Sequence, residues 1–153
     1  METLSVCPEC GAEWREGKTC QDAFYQMLFW ENEYPGHGEV HHLMVLCYHL
    51  QHPSVYSSEG LRAAIHLLDD FLTRGLSPQE VRIQRRASVN SHTRTWKIKG
   101  TPTSHGAYDT PIHWIITAPQ VIVNGANIYC ESVRAWAQSV HETLKTTDVF
   151  SSK

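Results

Sequence analysis

The thirteen residues HHLMVLCYHLQHP, from His41 to Pro53, put four histidines into a segment whose other residues read as the apolar side of a helix. Imidazole among apolar side chains needs a partner, because a buried polar group without one costs free energy. The segment also has a defined end. The residue before a proline is pushed out of helical geometry, so the helix closes at His52 and leaves that ring free to reach another part of the chain.

Helical spacing organises the residues on either side. A first helix, about Cys20 to Tyr34, aligns Phe24, Met27, Leu28 and Glu31 on one face. The turn YPGHG ends it, since proline and glycine continue a helix only at a cost. The second helix, about Glu39 to Gln51, carries a stripe of His41, Met44, Val45 and Tyr48. A third, capped by Ser57, aligns Leu61, Ala64, Ile65, Leu68 and Leu72 and stops at Gly75. Short links imply antiparallel packing, a three-helix core over 19–75. From 76 to 126 the pattern is irregular. Ser77, Pro78 and Glu80 form a capping box for a short helix. TRTWKIK reads as a strand, 100–113 as a loop, and HWIIT as a buried strand or extended segment. A last helix over 127–146 puts Tyr129, Val133, Trp136, Val140 and Leu144 on one face. The predicted fold is mainly α, one domain over 1–153: an antiparallel helical hairpin or bundle with an N-terminal zinc knuckle over 1–18 and a small irregular or β segment.

Composition agrees with a globular chain: of 153 residues, 41% are hydrophobic and 19% charged. The formal charge of -3 gives no general reason to expect nucleic acid. No apolar run reaches the roughly 18 residues of a membrane span, and METLSVCPEC lacks the features of a secretory signal. The expected location is the cytosol, with no membrane partner. There, the five cysteines are better read as ligands or buried thiols than as disulfides. Cys47 and Cys130, each alone in a helical pattern, are expected in the core.

Cys7, Cys10 and Cys20 are different, because they lie within fourteen residues of one another. CPECG is half of a zinc knuckle: two thiolates two residues apart, followed by a glycine that permits the tight turn. A redox CxxC would want a strand before it and a helix starting at its first cysteine, and ECGAEWREGK supplies turn-forming and polar residues instead. A closed Zn2+ site needs four ligands, and Cys20 is the third. In an antiparallel hairpin the start of the first helix lies beside the end of the second, which makes His52 the fourth. A helix-terminal histidine bonded to the last carbonyls is the alternative for His52.

The same pairing brings the opposite ends together. Glu31 follows Cys20 by eleven residues and His41 precedes His52 by eleven, about three helical turns each. Glu31 and His41 are therefore expected to face one another near YPGHG. Two readings stand for them: a catalytic pair, with His113, His37 or His105 as a third group and a second metal or water, or a hydrogen bond that fixes the hairpin. His42 and His49 read as surface imidazoles. Tyr48 and Gln51 face the region of His52 and are candidates to accept its second N–H.

Taken together, the CPECG segment, Cys20, Glu31, the VHHLMVLCYHLQHP helix and the late VRAWAQSVHETL helix resemble an uncharacterised bacterial zinc-knuckle family, a domain of unknown function. The resemblance runs from residue 7 to about 145 and marks Cys7, Cys10, Cys20, His41 and His52; it implies no reaction. Leu46-Cys47 and His141 depart from its pattern, which has an acidic residue and a tryptophan there.

Six basic residues, Arg82, Arg85, Arg86, Arg94, Lys97 and Lys99, fall within 82–99 without an acidic one. Such a run usually forms a solvated face. Two functions follow. One is a small metal-dependent enzyme acting on a small molecule through Glu31, His41 and His113. The other is a non-enzymatic zinc module that binds a protein or anionic partner through the basic segment and the 100–113 loop.

Overall fold

The computed structural model describes residues 5–83 and 98–147. It is mainly helical. A short antiparallel hairpin, β1 (Ser5–Val6) and β2 (Glu13–Trp14), pairs Ser5 with Trp14 and Val6 with Glu13. The helices are α1 (Cys20–Glu33), α2 (His41–Leu50), α3 (Ser58–Thr73), α4 (described over 78–83), α5 (Ala118–Val123) and α6 (Tyr129–Thr146).

The chain gathers into two compact units, residues 1–52 with 109–153, and residues 53–108. In the first, α1 begins where Thr19 and Asp22 form a reciprocal capping box, which fixes Cys20 as the first helical residue. Its buried stripe is Cys20, Ala23 and Met27, with Glu31 one turn further on. Phe24 and Leu28, expected on that stripe, are only half-buried.

The turn to α2 passes through Gly36, at φ +86, a conformation that a Cβ disfavours. A 3-10 turn over His37–Val40 then leads into α2, so the helix proper starts at His41 rather than Glu39. Leu43, Met44, Leu46, Cys47 and Leu50 are buried in α2, a wider face than the predicted stripe; Val45 and Tyr48 are half-buried and His41 is exposed. That breadth follows from α2 packing against α6 as well as lying beside the turn. All five residues of the predicted α6 face are buried. Cys47 is core, as expected. Cys130 is not: it lies in the first turn of α6, off the buried stripe, with Sγ 3.6 Å from the Gly36 carbonyl.

In the 76–126 region the strand alternative for HWIIT is corrected, and a helix, α5, stands where the pattern reads as irregular. HWIIT forms no strand; Trp114 is buried, Ile115 is exposed, and Thr117 ends the segment by capping α5. The signal for α5 is Thr117-Ala-Pro-Gln120, a capping box with an early proline, and the Gln120 side chain accepts from the Thr117 N–H at 2.8 Å.

In the second unit, Ser57 caps α3, and Leu61, Ala64, Ile65 and Leu68 are buried while Leu72 is half-buried. Gly60 packs so closely on the backbone of Ile98 that a Cβ would overlap the carbonyl oxygen. Ser77 and Glu80 exchange the expected capping bonds at the start of α4. The predicted strand TRTWKIK lies outside the described residues except for Ile98 and Lys99, and Lys99 makes an isolated antiparallel bridge to Tyr56. Arg85, Arg86, Arg94 and Lys97 lie outside the described residues as well. The 100–113 region is loop, tightened by a bridge between Thr101 and Ser104.

Candidate metal centre

The β1–β2 hairpin is closed by a turn built for two inward sulfurs. Cys7 N–H donates to the Ala12 carbonyl at 2.9 Å and Gly11 N–H to the Cys7 carbonyl at 3.0 Å, with Gly11 at φ +79. The Cys10 N–H points at Cys7 Sγ, 3.5 Å away. Cys20, placed by the α1 capping box, puts its Sγ 3.5 Å from that of Cys10. His52 follows the last turn of α2, where Gln51 and His52 N–H groups still bond back to Cys47 and His49.

The ligand atoms of Cys7, Cys10, Cys20 and His52 all lie within 4.8 Å of one another, and all four residues are buried. His52 Nδ1–H donates to the Tyr48 carbonyl at 2.6 Å, which in the neutral ring leaves Nε2 as the lone-pair nitrogen; that atom is buried and has no hydrogen-bond partner. A buried polar atom without a partner is costly. A cation seated among three sulfurs would satisfy it. The donor set therefore fits a metal ion.

Polar groups around the cluster favour negative sulfur at Cys20. The Cys20 thiol is lowered to about 4, chiefly by its hydrogen bond with Cys10; burial opposes this, and His52 and the Trp14 indole support it. Trp14 Nε1–H donates to Cys20 Sγ at 3.2 Å. Cys10 is pushed up, by its contact with Cys20 and by burial. Burial works against charge on His52, but Cys20 and the Tyr48 carbonyl outweigh it and raise it to about 9. The Tyr48 ring lies 4.4 Å from the His52 ring.

Gln51 does not serve His52. Its Nε2 donates to the Ile116 carbonyl at 2.7 Å, and the backbone carbonyl of Tyr48 takes the place expected for a side chain. Trp14, which touches the Cys20 sulfur, is a residue that the sequence did not reveal; its two-residue strand carries too little pattern to show the contact.

At the other end of the α1–α2 hairpin, His41 Nδ1 and Glu31 Oε1 are 2.6 Å apart, and the Tyr129 hydroxyl donates to Glu31 Oε2. The Glu31 side chain is 7% exposed and that of His41 53%. His37 turns away from this pair: its Nε2 bonds to the Ala126 carbonyl at 2.7 Å and its ring stacks on Tyr129. His113 is exposed on the wall of a cleft beside the hairpin, with Cys7 and Cys10 and without Glu31 or His41. His105 belongs to the second unit. His42 and His49 are half-buried rather than solvated, and burial lowers both, assisted by His41 and Arg134 at His42 and by His52 at His49. Among the described residues, Cys7, Cys10, Cys20 and His52 form the one group of three or more metal-ligating side chains. No helix among those residues is long and apolar enough to cross a membrane.

Fold and site together define a mainly helical protein with a buried Cys₃His cluster that could hold a metal ion. The chain belongs to the Family of unknown function (DUF5946), whose profile matches residues 5–145. No curated protein and no solved structure matches it.

Proposed function

We propose that Cys7, Cys10, Cys20 and His52 hold one Zn2+ in a closed structural site, an N-terminal zinc knuckle clamped onto the open end of a helical hairpin. One observation carries the reading: four buried donors from three stretches of chain converge within 4.8 Å. Tetrahedral zinc with Zn–S near 2.3 Å sets neighbouring sulfurs roughly 3.8 Å apart, and the Cys10–Cys20 separation is 3.5 Å. Three thiolates with one imidazole suit zinc among the common divalent ions, and four protein ligands leave no position for a reacting water. The reading places the protein in a reducing compartment such as the cytosol, where the thiolates stay available.

Glu31, His41 and Tyr129 then act as a structural tie at the far end of the same hairpin. A second reading, acid–base work by His41 on a small molecule, draws support from its exposed ring and from the carboxylate that orients Nδ1.

Elemental analysis tests the zinc reading. The purified protein is expected to carry one zinc per chain, and Cys20→Ser and His52→Ala to lose most of it. A chain that cannot be loaded with zinc, or variants that keep full content, would contradict the reading.

A further inference from the structure

A cleft of about 1070 Å³ runs between the β1–β2 hairpin, the first turns of α1 and the 111–123 segment, all within the first unit. Its far wall is built from residues that prefer a strand yet sit in none. Ile112 and Ile115 are β-branched; Trp114 is buried beside them while Ile115 is 69% exposed on the cleft, and Val123 further along is 82% exposed. Both line the same concave surface, a place where exposed apolar side chains mark a binding groove. The opposite wall is acidic. Glu9, Glu13, Glu16 and Asp22 line it against Arg15 and Lys18, a surplus of two carboxylates. The Glu13–Arg15 pair, at 3.5 Å and well exposed, neutralises little of that field.

We propose that this cleft is the docking groove for an extended, basic segment of a partner protein. Its apolar side chains would rest on Ile115 and Val123, its backbone would pair along 111–115, and its Lys or Arg side chains would face the carboxylates of the hairpin. Strand addition of this kind draws affinity from main-chain hydrogen bonds and specificity from alternate side chains. The proposal rests on the zinc reading only in that the ion would hold the hairpin wall in place.

The test is selection of random displayed peptides on the zinc-loaded full-length protein, with zinc content measured on every sample. Enriched peptides are expected to alternate Lys or Arg with Val, Ile or Leu. Ile115→Asp and Val123→Asp, both surface changes, should each weaken the enriched peptides about tenfold or more while Val6→Asp, an exposed apolar site outside the cleft, should not. Glu9→Gln with Glu16→Gln should weaken them and reduce their salt dependence. Acidic consensus peptides, no enrichment, or binding that survives both cleft substitutions would overturn the groove, whatever the zinc content. Binding lost in the cleft variants with one zinc retained supports it independently of the metal site.

Discussion

The tightest constraints on the cluster act through single hydrogen bonds to its ligands. The Tyr48 carbonyl selects the His52 tautomer, and the Trp14 indole donates to the Cys20 sulfur. Groups that touch metal ligands in this way typically alter affinity by 10–100-fold. Trp14→Phe is therefore expected to weaken zinc binding by roughly tenfold while leaving one site per chain, read by competition with a chromophoric chelator. Protons compete at the same atoms. Cys10 is pushed up and His52 raised to about 9, so a zinc ion entering the cluster would displace protons from both, and apparent affinity is expected to fall as the pH drops through neutrality. An affinity flat between about pH 8 and pH 6 would deny these residues their role. The four residues of the cluster were legible in the sequence because each marks a local event: a CxxC with its glycine, a helix start and a proline-limited helix end. Trp14 and Tyr129 were not, since a contact such as Tyr129 to Glu31, 98 residues apart in sequence, leaves no trace in local pattern.

At the scale of elements, the α1–α2 hairpin is held at both ends, by the cluster at one and by the Glu31–His41–Tyr129 chain at the other. Tyr129→Phe leaves a buried carboxylate oxygen without its donor, a loss of about 1–3 kcal/mol, measurable by urea unfolding. Glu31→Gln paired with Tyr129→Phe should cost less than the sum of the two single changes. Additive losses would mean that the two residues do not act together. The helix hairpin was readable because period and breakers agree over thirty residues. α5 was not, because six residues with three β-branched side chains, Val121, Ile122 and Val123, look more like a strand than a helix. Its capping box decided the outcome, and Thr117→Ala is expected to cost about 1 kcal/mol.

The whole molecule depends on the cluster unevenly. The hairpin bearing Cys7 and Cys10 has strands of two residues each, too short to persist alone, whereas α6 buries a continuous apolar face. Metal removal should accordingly raise amide exchange over 5–14, the first turn of α1 and the last turn of α2 well before α6. If one zinc ion sits among three sulfurs and one imidazole, X-ray absorption at the zinc edge reads that coordination. The expected spectrum shows three sulfur neighbours at about 2.3 Å and one nitrogen at about 2.0–2.1 Å. A zinc-loaded sample with two or fewer sulfurs, or with water oxygen completing an open site, would contradict it.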